Sequence, residues 1–212
     1  MELSKELRAR RVFCIGWNYA DHIRELSTRN AEQCTIFMKP PTCLVPPGVP
    51  VAIPRGQGAV HHEVELVVAL GREGRDVPAA DALGWVAGVT LGLDLTLREV
   101  QARLKKLGQP WELCKAFDQS APLGDLVPWT PAIDLRDVTL RCLVNGQLRQ
   151  EGNTRDMLFP VERLIEIVSR TWRLLPGDLI FTGTPPGVGP IVPGDELVIE
   201  SPRIGRFAWA IV

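Results

Sequence analysis

The alternation of apolar and polar residues predicts a chain built mainly from short strands. Apolar runs rich in β-branched residues and bounded by glycine, proline or asparagine are typical of strands. Such runs occupy residues 11–16, 35–39, 60–70, 138–144, 147–150, 179–181, 196–200 and 207–212. Asn145-Gly146 joins two of them and is the dipeptide preferred in a type I′ hairpin turn. Helical patterns are fewer, at 19–26, 97–107 and 160–169.

The run at 60–70 contains two carboxylates, Glu63 and Glu65, within an otherwise apolar stretch. Residues two apart on a strand point to the same face. Neighbouring carboxylates on a partly buried face repel each other and are costly to desolvate, unless a cation lies between them. The segment therefore fits either a cation-binding strand or a strand whose two charges face solvent, and both interpretations stay open.

Two further charged residues interrupt apolar surroundings. Asp94 is the only charged residue of the segment 85–95, and it precedes the predicted helix 97–107. It either binds a cation or caps that helix, since a buried carboxylate needs donors or a counter-charge. Lys115 lies between apolar neighbours, a pattern that a surface lysine with a buried stem also shows.

A possible catalytic pair lies in the predicted helix 19–26, for which Asn18 is the expected N-cap. His22 and Glu25 are three positions apart and therefore share a helix face, close enough to hydrogen-bond. An ordinary surface histidine paired with a carboxylate has the same spacing, so both readings stay open. The polar segment 27–33 that follows is a candidate lid.

Composition narrows the function classes. The net charge of −1 provides no basic field, and no apolar run approaches membrane-spanning length, so neither a nucleic-acid nor a membrane partner is expected. The five cysteines are scattered without a Cys-x-x-Cys motif, and no signal-peptide pattern is present. A reducing, cytoplasmic location with free thiols is therefore expected. The length of 212 residues favours one domain over residues 1–212, with 1–10 as an N-terminal extension.

Seven motifs follow one another across residues 11–212. They are Gly16-Trp17-Asn18-Tyr19-Ala20-Asp21-His22, Glu63-x-Glu65, Asp94 with Arg98 and Gln101, Lys115-x-x-Asp118, Val144-Asn145-Gly146 with Gln150, Thr154-x-Asp156-Met157, and Pro176-Gly177-Asp178 leading to Thr182-Gly183-Thr184-Pro185. In this order they resemble the fumarylacetoacetate hydrolase family, most closely its short members of the acylpyruvate hydrolase and oxaloacetate decarboxylase type.

The resemblance implies a mainly β (α+β) fold, a mixed β-sandwich or β-roll of short strands with a few short helices, and a homodimer. It implies a divalent cation, Mg²⁺ or Mn²⁺, held by Glu63, Glu65 and Asp94. It also implies that His22 and Glu25 form a catalytic dyad. The residues that the resemblance assigns to the substrate are Arg98, Gln101, Lys115 and Thr184, with Lys115 also in a catalytic role.

The sequence departs from the family at two positions. Trp17 stands where the family often has an arginine, and Glu99 follows Arg98 where the family has an aspartate. Neither change touches an expected metal ligand. Trp17, near the expected dyad, leaves the identity of the substrate's distal group open. His61 and His62, which flank the metal strand, are interpreted as structural residues or as supports of the metal site.

The expected chemistry follows from three carboxylate ligands, which form a hard oxygen site suited to Mg²⁺ or Mn²⁺ rather than Zn²⁺. A small 2-oxo acid can chelate such an ion, and the ion then stabilises enolate charge. The principal expectation is hydrolysis of a C–C bond in acylpyruvate-type 3-acyl-2-oxo acids. His22 would be the general base, because its ordinary pKa of ~6.5 is close to operating pH, and Glu25 would orient it.

Two other function classes stay open. Decarboxylation or tautomerisation of oxaloacetate, or isomerisation of an unsaturated dicarboxylic 2-oxo acid such as 2-hydroxyhepta-2,4-diene-1,7-dioate, needs the enolate but not an activated water. A catalytically idle dimer or binding protein would keep the fold alone. The complete set of three carboxylates disfavours this last possibility.

Overall fold

The computed structural model describes residues 1–2, 8–19 and 34–212. Fifteen short strands lie in this part of the chain. In chain order they are β1 Val12–Gly16, β2 Thr35–Lys39, β3 Leu44–Val45, β4 Val60–His62, β5 Val64–Leu70, β6 Val86–Leu93, β7 Thr96–Leu97, β8 Ala121–Pro122, β9 Val127–Pro128, β10 Thr139–Val144, β11 Gln147–Asn153, β12 Leu179–Phe181, β13 Gly189–Ile191, β14 Glu196–Ser201 and β15 Gly205–Ala210. The predicted fold class, mainly β with a few short helices, is confirmed.

The strands form two larger and two smaller sheets. Six strands in the order β2-β1-β12-β5-β6-β9 form a mixed sheet, because β1 and β12 are parallel whereas the other neighbours are antiparallel. Four strands in the order β11-β10-β14-β15 form an antiparallel sheet. The smaller sheets are β13-β4-β7 and β3-β8.

Strand β5 is buried along its whole length. Leu66 and Val68 on one face belong to a large apolar cluster that includes Leu140 of the four-stranded sheet, whereas Val67 and Ala69 on the other face belong to a second cluster. This double burial follows from the apolar run that the sequence places here, since a strand covered on both faces needs apolar residues at every position. A charged side chain at this strand must therefore find partners inside the protein.

Helices are few and short among the described residues. They are α1 Ala79–Ala82, α2 Arg98–Leu107, α3 Glu112–Lys115 and α4 Val161–Thr171, with 3-10 turns at Pro41–Cys43, Leu83–Trp85 and Thr154–Asp156. Pro160 immediately precedes α4, where its fixed φ is tolerated. None of these helices is long and apolar enough to cross a membrane.

The predicted hairpin at 138–150 is confirmed. Strands β10 and β11 pair antiparallel, and Val144 lies opposite Gln147 across the turn. Asn145 and Gly146 have φ values of 51° and 74°. Positive φ at both central residues defines the type I′ turn, which matches the twist of the flanking strands.

The single strand predicted at 60–70 is wrong, because the chain changes sheets at Glu63. Strand β4 pairs with β13 and β7, whereas β5 pairs with β12 and β6. Hydrophobic periodicity does not register this change, since both strands are largely buried. The first of the two candidate ligand carboxylates thus lies at the junction of two sheets.

The predicted helix 19–26, with His22 and Glu25, and the candidate lid at 27–33 lie outside the described residues, apart from Tyr19. The expected role of Asn18 as the N-cap of that helix stays a prediction for the same reason. Its Nδ2 donates to the carbonyls of Phe159 at 3.0 Å and Thr182 at 2.7 Å, and its Oδ1 accepts from the Phe159 N–H at 2.8 Å. Asn18 therefore ties the end of β1 to the loop that follows β12.

Candidate metal centre

Three carboxylates meet at one end of the β5–β6 pair. Glu63 immediately precedes β5, Glu65 lies within β5, and Asp94 immediately follows β6. The antiparallel register of β5 and β6 places Asp94 opposite Glu63, whose carbonyl accepts from the Asp94 N–H at 2.9 Å. One potential ligand atom from each of the three side chains lies within 4.8 Å of the others, and all three residues are buried.

Two cations contact these carboxylates from the neighbouring helices. Lys115, the last residue of α3, places Nζ 2.7 Å from Glu63 Oε2 and 2.5 Å from Asp94 Oδ2. Arg98, the first residue of α2, places Nη2 2.5 Å from Glu63 Oε1. Burial alone would lower the pKa of Lys115, but Asp94 and Glu63 outweigh it and raise this pKa above its ordinary value. With only 2% of its surface exposed, Lys115 is not a surface lysine.

A third cation, Lys39, was not among the predicted site residues. It is 2% exposed, and its Nζ donates to the carbonyls of Ser120 at 2.9 Å, Leu95 at 3.3 Å and Lys115. The same nitrogen lies 2.8 Å from Asp94 Oδ1. The Lys39 ammonium is therefore held by three carbonyls and by an ion pair with Asp94.

The sequence did carry a weak signal for Lys39. Strand alternation places Thr35, Phe37 and Lys39 on one face of β2, and Phe37 is buried. The following Pro40-Pro41 led to the interpretation that the strand simply ends there. The carbonyls that hold Lys39 come from three separate segments, which local periodicity does not bring together.

The donor set fits a hard divalent cation. Asp94 Oδ1 is buried and lies 2.8 Å from the Lys39 ammonium. Burial, followed by the charge of Asp94, raises the pKa of Glu65 well above its ordinary value, although the Gly183 N–H donates to its Oε2 at 2.7 Å. A dication would lower that pKa. Oxygen-only ligands suit Mg²⁺ or Mn²⁺.

The glycine of the Thr182-Gly183-Thr184 loop is required by its backbone geometry. Gly183 has a φ of 99°, and a Cβ there would lie 2.7 Å from the Cβ of Asn18. This conformation directs the Gly183 N–H at Glu65. Any other residue would be strained at this φ and would collide with Asn18.

Thr184 lines the pocket, and Gln150 determines whether the Thr184 hydroxyl donates or accepts a hydrogen bond there. Gln150 Oε1 accepts from the Val64 N–H at 3.1 Å and its Nε2 donates to the Pro185 carbonyl at 2.9 Å, so the amide orientation is defined by backbone groups. Its Nε2 also donates to Thr184 Oγ1 at 2.8 Å, and this hydroxyl donates to the Val64 carbonyl at 2.9 Å. Thr184 therefore offers the pocket an acceptor lone pair rather than a donor.

The same amide orients His62, whose Nδ1 lies 2.8 Å from Gln150 Oε1. Since that oxygen can only accept, Nδ1 carries the proton. Burial lowers the pKa of His62, so the ring is neutral at physiological pH. Burial also lowers the pKa of His61, and neither histidine lines the pocket.

A pocket opens over the three carboxylates. The residues that complete its lining are Ile15, Gly16, Trp17, Phe37, Arg98, Gln101, Lys105, Trp111, Lys115 and Thr184. The ring of Trp111 lies 5.5 Å from that of Trp17 in an edge-on arrangement and 5.7 Å from that of Phe37. The pocket is thus charged at the carboxylates and aromatic around Trp111.

The structure brings together seven of the nine predicted site residues, and only His22 and Glu25 lie outside the described part. Gln101 Oε1 accepts from Arg98 Nη1 at 2.7 Å, so these two residues act as one unit on α2. The alternative that Asp94 caps a helix is excluded, because α2 begins at Arg98 with Leu97 at its N-cap. The functional roles of the predicted residues stay predictions.

Comparison with known proteins bears on the same residues. The family model described as fumarylacetoacetate (FAA) hydrolase C-terminal matches residues 11–212, nearly the whole chain. The chain belongs to this family. The motif order that suggested the family from sequence is therefore confirmed.

Relatives in the fumarylacetoacetate hydrolase family include proteins of more than one named activity. Oxaloacetate tautomerase YcgM of Escherichia coli strain K12 is 45% identical over 190 residues, covering 89% of this chain and 87% of the relative. The mitochondrial oxaloacetate tautomerase FAHD1 of Mus musculus is 45% identical over 186 residues, covering 88% and 84%. The crystal structure of fumarylpyruvate hydrolase from Pseudomonas aeruginosa with Mn²⁺ and pyruvate is 37% identical, with a TM-score of 0.93 and coverage of 99% and 92%.

Proposed function

We propose that this protein interconverts the keto and enol forms of a 2-oxo acid, with oxaloacetate as its principal substrate, and uses Mg²⁺ or Mn²⁺ held by Glu63, Glu65 and Asp94. The observation that carries this proposal is the buried group of three carboxylates beneath a pocket. Their ligand atoms lie within 4.8 Å of one another, close enough for all three to bind a single divalent cation. When bound, the metal would supply Lewis-acid stabilisation of enolate charge.

The charge balance of the pocket supports an anionic substrate. Among the described residues, Lys39, Lys115 and Arg98 balance the three carboxylates in number, and Lys105 adds a fourth positive charge to the pocket lining. A divalent cation would therefore leave an excess of positive charge. This excess suits a 2-oxo acid, which carries a carboxylate and gains a second negative charge as its enolate.

The chain's own residues supply orientation. Lys115 and Arg98 contribute positive charge at the carboxylate end of the pocket, where negatively charged substrate oxygens are favoured over neutral ones. Gln101 has its Oε1 committed to Arg98, which leaves its amide N–H groups as candidate donors to the substrate. Thr184 contributes an acceptor, so it can receive a hydrogen bond but not donate one without releasing Val64.

Tautomerisation is placed first because it needs only this charge stabilisation and a base for the C3 proton, without an activated water. Two relatives of 45% identity are named for oxaloacetate tautomerisation. His22 is the candidate base on sequence grounds, since its ordinary pKa lies close to operating pH.

The test follows the decay of the ultraviolet absorbance of enol-oxaloacetate after dilution into neutral buffer. Protein with Mg²⁺ or Mn²⁺ should accelerate ketonisation well above the rate in buffer and metal alone, whereas EDTA-treated protein should not. Pyruvate formation, followed separately with a coupled lactate dehydrogenase assay, distinguishes decarboxylation. Equal rates with metal and with EDTA would contradict the proposal, and pyruvate release matching enol decay would assign decarboxylation instead.

Hydrolysis of an acylpyruvate C–C bond is the second candidate. The similarity to fumarylpyruvate hydrolase with Mn²⁺ and pyruvate favours it, as does the His22 and Glu25 spacing. Hydrolysis adds water across the bond between C3 and the distal carbonyl, which releases a carboxylic acid and pyruvate. It therefore needs a base that activates water.

His22→Gln should separate the water-activating role from enolate stabilisation. If wild-type protein cleaves acetylpyruvate, the substitution should lower this rate by about a hundredfold, the scale of a lost general base. Glu25→Gln should lower it in the same direction but less, because the imidazole itself remains. Pyruvate release at the wild-type rate by His22→Gln protein would show that His22 does not activate water.

A further inference from the structure

Lys105 differs from the other cations of the site because no carboxylate of the described residues pairs with it. It is half-buried on α2, and its Nζ lies 4.9 Å from the ring centre of Trp17 and 5.4 Å from that of Trp111. Among the described residues these ring contacts are its interactions, with neither a hydrogen bond nor an ion pair. Lys39, Lys115 and Arg98, by contrast, all contact carboxylates.

An ammonium in this position is only partly compensated. Burial lowers the pKa of Lys105 to about 8. The positive charges of Arg98 and Lys115 act in the same direction, whereas Glu63 and Cys114 oppose the shift. Two aromatic faces attract a cation but do not replace the water it has lost. An anion entering the pocket would therefore meet a desolvated positive charge in need of a partner.

The backbone conformation of Trp17 indicates that the part of the pocket beside Lys105 has a functional role. Trp17 has a φ of 62°, a conformation that bulky residues rarely adopt. Strained backbone persists where the surrounding structure enforces it, and such positions cluster at ligand sites. Here it sets an indole against Lys105 at the position where the family often has an arginine.

The spacing along α2 separates Lys105 from the carboxylates. Arg98, Gln101 and Lys105 all line the pocket from one face of this helix. Seven residues separate Arg98 from Lys105, a rise of about 10 Å. Because helical side chains lean toward the N-terminus, Lys105 is directed back over the pocket.

We propose that Lys105, lying between Trp17 and Trp111, binds the distal carboxylate of the substrate and makes the pocket selective for dicarboxylic 2-oxo acids. This inference rests on the proposed function, since it assumes that the 2-oxo acid end of the ligand lies at Glu63, Glu65 and Asp94. The indoles exclude water from the Lys105 ammonium and so strengthen its attraction for a carboxylate. A neutral distal group would leave the ammonium unpaired.

The test compares ligands that differ only in the distal carboxylate. Calorimetric titrations of Mn²⁺-loaded protein would use oxaloacetate against 2-oxobutanoate and 2-oxoglutarate against 2-oxopentanoate, two pairs matched in carbon number. Wild-type protein should bind at least one dicarboxylate more tightly than its partner. Lys105→Met should weaken the binding of that dicarboxylate by roughly tenfold or more, the scale of a lost charge-assisted hydrogen bond. It should change the affinity for the matched monocarboxylate by less than about twofold.

Two control variants separate recognition from structure. Lys106→Met removes the exposed neighbouring lysine of the same helix and should leave all four affinities unchanged. Lys105→Arg should restore part of the dicarboxylate preference. In wild-type protein the dicarboxylate affinity should fall above about pH 8 as Lys105 loses its proton, whereas Lys105→Arg should show no such fall because arginine stays charged.

The outcomes distinguish this inference from the proposed function. The role of Lys105 would be overturned if Lys105→Met weakened the binding of both ligands of each pair equally, or if wild-type protein showed no preference for dicarboxylates. In either case, binding of 2-oxo acids would still support the proposed function. Failure of every 2-oxo acid to bind the Mn²⁺-loaded wild-type protein would overturn both.

Discussion

Replacing Asp94 with asparagine is expected to abolish metal binding and to lower metal-dependent turnover of oxaloacetate by about a thousandfold, the factor that corresponds to several kcal/mol of lost Lewis-acid stabilisation. The asparagine has nearly the same shape but no charge. Asp94 lies opposite Glu63, and both of its carboxylate oxygens are paired with lysine ammonium groups inside the protein. Its loss therefore removes both a ligand and one of three negative charges.

Metal binding can be measured without turnover. A ligand that binds only the folded protein at a hundred times its dissociation constant stabilises it by ~2.7 kcal/mol. For a chain of this length that corresponds to a rise in melting temperature of about 5–10 °C. Wild-type protein should show this rise on adding Mn²⁺ or Mg²⁺, and Asp94→Asn should not.

Asp178→Asn is the matched control. Asp178 is also a fully buried aspartate, and its carboxylate accepts from Arg11 Nε at 2.9 Å and from the Leu175 N–H at 2.8 Å, away from the pocket lining. This variant should lose stability but keep the metal-induced shift and the turnover. If Asp94→Asn kept the metal-induced shift, the assignment of Asp94 as a ligand would be wrong.

Glu63 and Glu65 were accessible from sequence because their relation is local. Their spacing of two predicted a shared strand face; Glu63 instead lies just before β5, but its ligand atoms still lie close to those of Glu65. The role of Asp94 was not accessible, since its segment fitted both a ligand and a helix cap. The structure excludes the cap, because α2 begins at Arg98, and the register sets Asp94 against Glu63, as the ligand role requires. Register between distant strands depends on packing across the whole sheet, which a single segment does not encode.

The positions of Lys115 and Lys39, unlike those of Glu63 and Glu65, depend on residues far away in the sequence. Lys115 stood in a recognisable motif, but its pattern also fitted a surface residue, and only its contacts with Glu63 and Asp94 show the difference. Lys39 carried almost no local signal, because buried lysines are rare and its partners are dispersed along the chain. Long-range compensation of charge is the part of this site that the sequence did not yield.

Charge compensation also explains why the site is assembled from loops and strand ends. Strand β5 is covered on both faces, so charged side chains are tolerated only where other segments bring counter-ions. Arg98 and Lys115 reach Glu63 from two helix termini, and Lys39 reaches Asp94 from the end of β2. The carboxylates and cations are therefore mutually required, and stability and metal binding should change together.

Replacing Lys39 with methionine tests this coupling and should lower the free energy of unfolding by about 3–5 kcal/mol, as expected when one partner of a buried ion pair is removed. Methionine fills much of the same space but leaves the carbonyls of Leu95, Lys115 and Ser120 without their shared donor. The corresponding fall in melting temperature is on the order of 10 °C for a chain of this length. Urea unfolding of metal-free protein measures it.

The response to metal distinguishes charge compensation from simple packing. Without Lys39, Asp94 keeps only Lys115 as a cationic partner, so a bound dication relieves more unfavourable charge than in wild-type protein. The Mn²⁺-induced rise in melting temperature should therefore be larger in Lys39→Met than in wild type. Lys106→Met, at an exposed position, should change stability by less than about 0.5 kcal/mol and leave the metal response unaltered. A destabilised Lys39→Met protein with an unchanged metal response would show that Lys39 supports only the packing around its carbonyl partners.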